Sequence, residues 1–406
     1  MIIENLIIGS GFSSLGAIFG LMKKKKKFSL ITGKIEKNDN EKNVITLQSR
    51  NFEKYKNNIS QAIKKNTIDV NIKNNFVSYL GFGGLSNLWG KIFNTDFKDT
   101  YSLKKELIEQ LNIKNCSKFE EYKKIHLYKA IEQNINIKKI FSDLKRKNNF
   151  KTINATVIKI KFNRLNNNFE LLTQNNKIIT AKNIYLACGI FSTIKLLKSL
   201  DEKKFLNKKI QLNHSNMCYC IFFSLKSSLK KIINDEFIYL SRDKKKFAGR
   251  ILILNKKMIH KYNLGTIAHV LLNITNFFRI RIFLCSILYK RQKKSSIIYI
   301  RKNALKIQAD KTYKDFFILN KFKNIFKEIF DARIFIFKKT LVGSDFHYTT
   351  DILKIYNKKK INSYYKNLFI LDSSYSMKSL YFPTFKMIHD SYHRVINNLS
   401  VFKLLN

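Results

Sequence analysis

Proline occurs once in the 406 residues, tryptophan once, glycine 13 times and cysteine five times, and only 28 acidic side chains face 77 lysines and arginines. Each scarcity narrows the reading. So little proline and glycine excludes collagen-like chains and long Gly/Pro linkers. The cysteines (Cys116, Cys188, Cys218, Cys220, Cys285) are odd in number and form no repeated C-x-x-C, against a disulfide framework or a zinc ribbon. Cys218 and Cys220, two apart, would project from one face of a strand, a poor seat for a tetrahedral metal. Reduced thiols and a cytoplasmic compartment are therefore expected. The apolar N-terminal segment precedes the lysine run instead of following it, so no signal peptide is expected. No uncharged apolar run reaches the about 18 residues of a spanning helix. The nearest, 264–289, is interrupted by Arg279 and Arg281 and reads as a buried or amphipathic helix pair. Its alternative is peripheral contact at the inner face of a membrane through 264–294.

The acid shortage leaves a formal charge of +49. Lys, Asn, Ile, Phe and Tyr rise together while Pro and Gly fall, which is what A/T-rich coding produces. The lysines are also scattered in short runs, such as 23–27 and 358–360, with no long tail. A solvated, codon-driven surface is thus preferred to a charge-selected partner. No basic–aromatic platform repeats along the chain, so nucleic acid is not expected. A basic protein binding nucleic acid or a membrane surface stays as an alternative.

What the chain does have begins within ten residues. Ile2, Ile3, Leu6, Ile7 and Ile8 read as a buried parallel strand, and Gly9-Ser10-Gly11-Phe12-Ser13-Ser14 as a glycine-rich turn. Ala17, Ile18, Phe19 and Leu21 then continue as an apolar helix. Gly9 permits the tight turn, Gly11 lets backbone approach a pyrophosphate, and the helix N-terminus offers unpaired N–H groups. Ser14 stands where the third glycine of G-x-G-x-x-G belongs, and Gly16 follows two residues on. A second strand at 28–32 ends on Thr32, where an acidic side chain normally binds ribose; Glu36 is the nearest substitute.

Further along, 81–90 is a second glycine-rich loop, and about 96–150 reads as a helical insertion. A hairpin-like pair follows at 152–162 and 169–173, then 178–179 leads into Lys182, and 183–189 reads as a strand ending on the glycine of Ala187-Cys188-Gly189 before a helix at 192–199. From 215 to 342, β-branched and aromatic runs predict a mostly antiparallel sheet, hence a separate substrate domain. The chain closes with a strand at 367–371, Asp372, Pro383 and a helix from Thr384 to about Leu399. The expectation is an α/β protein: a Rossmann-like dinucleotide-binding domain over 1–214, a substrate domain over 215–342, and 343–406 returning to complete the first.

Gly9-Ser10-Gly11, the 83–90 loop (Gly83, Gly84, Leu85, Ser86, Asn87, Leu88, Trp89, Gly90), Ala187-Cys188-Gly189, His347-Tyr348-Thr349-Thr350, and Asp372-Ser373 leading to Phe382-Pro383-Thr384 occur in one order across nearly the whole chain. This ordered set resembles the glucose–methanol–choline (GMC) oxidoreductases, and the middle domain adds no motif to it. The resemblance implies an FAD/NAD(P)-binding Rossmann-like domain with FAD as cofactor, and oxidation of a CH–OH group with hydride passing to flavin N5. It implies a small alcohol or sugar-like donor and a separate electron acceptor as partners.

The resemblance also assigns roles. The 9–14 turn would take the pyrophosphate. Gly83 and Gly84 would lie against the flavin ring, with Ser86 and Asn87 bonding its edge or ribityl chain. Val157 would hold adenine by its backbone, and Ala187 and Gly189 would sit beneath adenosine. Asp372 and Ser373 would lie near ribityl and phosphate, and the helix starting at Pro383 and Thr384 would point at flavin N1. His347 would be the catalytic base, the role in which histidine suits neutral pH. His389 and His393, at i and i+4, are read as packing residues, and no metal is expected. Two departures bear on the chemistry: Phe382 replaces a His or Asn, and Thr349 replaces a glycine. They motivate the alternative of a flavin-binding scaffold without alcohol oxidation.

Overall fold

The computed structural model describes residues 2–33, 68–70, 103–114, 117–129, 137–224, 237–242, 247–256, 259, 266–277, 281–290, 296–308, 316–339, 348–356, 366–374 and 384–405. Among these, seven strands form the first sheet: β1 (Ile2–Ile8), β2 (Ser29–Thr32), β3 (Lys151–Asn154), β4 (Val157–Asn163), β5 (Asn168–Thr173), β6 (Ile178–Leu186) and β7 (Leu368–Ile370). Three helices serve it: α1 (Phe12–Lys23), α2 (Ile190–Leu200) and α3 (Thr384–Ile396). The strands lie in the order β3-β2-β1-β6-β5-β4, and β7 pairs with the end of β6. Strands β3, β2, β1, β6 and β7 run parallel, whereas β4, β5 and β6 form an antiparallel meander. Ile8 stands opposite both Ile31 and Leu186, and Leu186 opposite Ile370. Four strands therefore finish level, at one carboxyl edge.

The first helix is apolar on every side because it is enclosed. All of Phe12 to Leu21 is buried, between the sheet and α3, as expected of a helix with no polar face. Leu15, Ile18 and Phe19 share one core with Phe385, Ile388, Tyr392 and Val395 of α3. The last helix thus packs against the first, in the half that carries the first sheet.

The second sheet has 11 strands among the described residues and is mostly antiparallel. Its spine is the 16-residue strand Lys209–Ser224. One half pairs with Arg281–Lys290 and Ala332–Lys339, the other with Ser296–Ile300 and Tyr348–Thr350. One face packs on the Phe316–Phe330 helix through Phe222, Phe283, Phe322 and Phe326. The other carries the Thr266–Phe277 helix through Leu252, Ile282 and Leu284.

Three differences from the sequence reading appear. Only the first half of 264–289 is helical; Arg281–Lys290 is a strand. Ile282 through Cys285 and Ile287 through Tyr289 are buried on both faces, and a strand covered on both sides is continuously apolar, so period alone cannot separate it from a helix. Within 96–150, helices Leu103–Gln110 and Ile137–Asn148 flank a hairpin, Ser117–Glu121 with Ile125–Lys129, which joins the second sheet beside Phe237–Ser241. Tyr348–Thr350, from the C-terminal segment, also pairs in the second sheet.

Tyr239 reports on this core. Its ring is fully buried and its hydroxyl donates to the Ser286 carbonyl at 2.8 Å. Tyr239→Phe leaves that carbonyl with only the weak Cys285 thiol donor at 3.5 Å, at nearly constant volume, and is expected to cost about 1 kcal/mol, read as a lower urea midpoint at unchanged slope.

Candidate functional site

At the carboxyl edge, the turn from β1 into α1 lies flush against the turn from β6 into α2. Gly9 has φ +114°, and a Cβ there would stand 2.3 Å from the Ala187 carbonyl oxygen. Only glycine fits such a conformation and such an approach. The Gly9 N–H donates to Ile31 O at 2.9 Å, and Ala187 N–H to Ile8 O at 2.9 Å, so both turns hang from the parallel ladder.

Each turn then opens a helix with no side-chain cap. Gly11 caps α1 in extended backbone, and Gly189 caps α2 at φ +82°. Neither first turn carries an acidic residue. The hydroxyl that could have capped α1 is turned away: Ser14 Oγ donates back to Gly9 O at 2.8 Å. A Cβ on Gly189 would meet no atom of the described residues within 4 Å. Two glycine-led helix N-termini at one sheet edge, neither with a side-chain cap, suit an elongated anion such as a pyrophosphate.

A third turn closes the group. Leu371 N–H donates to Leu186 O at 2.8 Å, placing Asp372 beside α2. Asp372 is buried, and both carboxylate oxygens are engaged. Oδ2 accepts from Thr193 Oγ1 at 2.5 Å; Oδ1 accepts from Ser374 N at 3.0 Å and Ser374 Oγ at 2.5 Å. Burial pushes its pKa above the usual carboxylate range, against hydrogen bonds that pull it down. Cys188 Sγ lies 3.4 Å from Thr193 Oγ1, and burial, with Asp372 nearby, raises its thiol pKa to about 12. The thiol stays protonated and unreactive at neutral pH. Beneath, the buried Arg394 of α3 donates to Ile370 O at 2.8 Å and Asp372 O at 3.5 Å. Ser391 Oγ donates to Ser13 O at 2.5 Å. The last helix is pinned to both the first turn and the last strand.

The structure brings together Gly9, Ser10, Gly11, Phe12, Ser13 and Ser14 with Ala187, Gly189, Asp372 and Ser373. Thr32 does end β2, but it is buried and its hydroxyl donates to the adjacent Gly33 carbonyl at 2.8 Å. Val157 starts β4 and packs its side chain against the core behind the sheet. Thr384 is the buried first residue of α3. Gly83, Gly84, Ser86, Asn87, His347 and Pro383, with Trp89 and Phe382, lie outside the described residues. His389 and His393 stack at 6.5 Å between ring centroids, and among the described residues no three His, Cys, Asp or Glu side chains gather to hold a metal.

Sequence reasoning missed Thr193 and Ser374 as the donors to Asp372, and Arg394 and Ser391 as the pins of α3. One signal was legible: Gly16 and Gly20, four apart, put two small residues on one face of α1. That face is where α3 approaches.

The fold is a parallel sheet with glycine-capped turns, a meander, a separate antiparallel sheet and a returning terminal helix. The structure matches a formate oxidase of Aspergillus oryzae RIB40, from work on FAD modification in that enzyme, at TM-score 0.57 and 9% identity. The match covers 100% of this chain and 99% of that one. A putative thioredoxin reductase of Bacillus anthracis matches at TM-score 0.22 and 13% identity over 46% of this chain. An oxidoreductase of Agrobacterium tumefaciens matches at 0.20 and 14% over 47%. The chain spans 36% and 37% of those two proteins' lengths. No family model and no curated protein sequence matches it.

Proposed function

We propose that this chain is an FAD-dependent oxidoreductase acting on the CH–OH group of an alcohol or sugar-like donor. The observation that carries the reading is the pair of uncapped, glycine-led helix N-termini abutting at the carboxyl edge of the parallel sheet, in a fold matched end to end by an FAD enzyme. The cradle at Gly9 and the uncapped turn at Gly189 fit an extended dinucleotide. FAD, when bound, supplies a hydride acceptor.

This chain's own residues do the rest. The 9–14 turn and the start of α2 hold the phosphates, and Gly189 sits beneath the adenosine half. Thr384 and the first turn of α3, free of acidic side chains, present a partial positive charge that favours an anionic reduced ring. His347 takes the hydroxyl proton as the donor is oxidised. Phe382 can neither donate nor accept, so proton handling rests on His347 alone.

Protein purified without added cofactor is expected to release flavin on denaturation, and a responsive donor to bleach the bound flavin absorbance. His347→Ala is expected to keep the flavin while slowing its reduction by about 10²–10⁴-fold. Reduction at the parent rate would remove His347 from the mechanism. Colourless protein that takes up no added flavin would remove the whole reading. Phe382 and Thr349 favour a second reading, a flavin-binding scaffold. It expects bound flavin that no panel of alcohols or sugars reduces.

A further inference from the structure

The amino edge of the first sheet, opposite the candidate site, gathers lysines from segments far apart in sequence. Lys27 precedes β2 by two residues, Lys151 opens β3, and Lys366 precedes β7 by two. Lys182 of β6 lies level with Glu4 of β1, between the pairs Ile3–Ala181 and Asn5–Asn183. The turn after α1 adds Lys24, Lys25 and Lys26, and the helix Val401–Leu405 adds Lys403.

The assembly is fixed by packing. Ser29 pairs with Lys151, and Phe28 stacks on Phe150 at 4.8 Å, which holds the 24–27 turn against the start of β3. Lys403 comes near enough to Lys24 that, after burial and together with Lys26, it lowers the Lys24 pKa. All eight lysines are exposed, and none has an ion-pair partner among the described residues. Glu4 is an acid on the same edge. Ile2, at the start of β1, is 51% exposed there. Among the described residues the edge offers no open aromatic ring for stacking bases: Phe28 and Phe150 cover each other, and Lys366 lies over Phe402 at 5.2 Å.

Like charges in this number cost free energy when held together, unless an anionic surface answers them. A second copy of a +49 chain would be repelled. We propose that this amino edge is a docking surface for an anionic lipid bilayer, with Ile2 entering the headgroup layer. The carboxyl edge, with its helix N-termini, then faces away from the lipid and stays open. The lysine excess is codon-driven in number; the inference concerns where the fold has put these eight.

Vesicle flotation tests this on the full chain. Binding is expected to phosphatidylcholine vesicles containing phosphatidylglycerol, to fall steeply with salt, and to be absent with phosphatidylcholine alone. Each lysine near such a surface is worth about fivefold in affinity. Replacing Lys25, Lys27, Lys151 and Lys182 together by Gln should therefore weaken binding about 600-fold. The matched control replaces Lys256, Lys302, Lys306 and Lys327, exposed lysines elsewhere, and should keep most of it. Thermal melts of both variants verify folding. Equal losses in the two variants would mean diffuse charge and overturn the assignment, as would equal binding to neutral vesicles. So would tighter binding to RNA or duplex DNA than to lipid, abolished by the same edge variant, or a dimer in solution that this variant dissolves.

Discussion

Asp372→Ala is expected to lower the unfolding free energy by about 3–5 kcal/mol, the range for a buried charged group lost from a hydrogen-bonded network. The carboxylate joins three pieces of chain: Thr193 from the first turn of α2, Ser374 from the turn after β7, and, by charge, Arg394 from α3. Alanine leaves the Thr193 and Ser374 hydroxyls and the Ser374 N–H without their acceptor in a buried place, and a buried arginine without its nearby counter-charge. Asp372→Asn keeps the shape and one acceptor oxygen, so its loss should be smaller. A urea titration at pH 7 measures both. If alanine costs no more than about 1 kcal/mol, the tie is not what holds the last strand to α2.

The same carboxyl sets a pH dependence whose sign follows from its pKa. Burial raises it in the folded chain above its ordinary value of 3.8, so between the unfolded and folded values the native state holds more protons. Stability then falls as pH climbs through that window and is greatest below it. This is opposite to the usual salt-bridged aspartate. Asp390 supplies that contrast, since His389 and Lys386 hold its pKa down against burial. Asp372→Asn should flatten the fall without touching the Asp390 contribution, which is lost as pH drops through its depressed value.

The first sheet and its helices were legible because their signals are local. An apolar strand, a glycine turn and an apolar helix follow each other in 2–23, and Ala187-Cys188-Gly189 repeats the strand-to-helix step. The second sheet was legible as a class but not in its pairing. Its spine, Lys209–Ser224, bonds to strands drawn from 281–290, 296–300, 332–339 and 348–350, and nothing local in those segments names the partner. Arg281–Lys290 was misread for a related reason: burial on both faces erases the alternation that marks a strand. In the site, Asp372 was identified but its partners were not. Thr193 lies 179 residues away, and a hydroxyl–carboxylate bond across that separation leaves no pattern in one sequence.

The contact between the first and last helices makes the second large prediction. A Cβ on Gly16 would stand 2.2 Å from the Ile388 carbonyl oxygen, 2.8 Å from Tyr392 N and 2.9 Å from Ser391 Cβ. Two of those three atoms are α3 backbone, so no rotamer change relieves them and trimming Ser391 to glycine would not help. Gly16→Ala gains about 1 kcal/mol of helix propensity but must move α3 outward, and a net loss of about 2 kcal/mol is expected. Gly16→Leu has no seat at all and should cost more than about 4 kcal/mol. Gly20 is the milder case, because its nearest neighbours are Val395 Cβ and Cγ1 at 2.8 Å, of which Cγ1 can swing away, and no α3 backbone atom comes as close as at Gly16; Gly20→Ala should cost less than Gly16→Ala. Displacing α3 also strains its two pins, the Ser391 bond to Ser13 and the Arg394 bonds beneath Asp372. Gly16→Ala should therefore weaken flavin retention along with stability, whereas Tyr239→Phe, in the second sheet, should lower stability alone. Equal flavin retention in the two variants at equal stability would separate the helix contact from the cofactor edge.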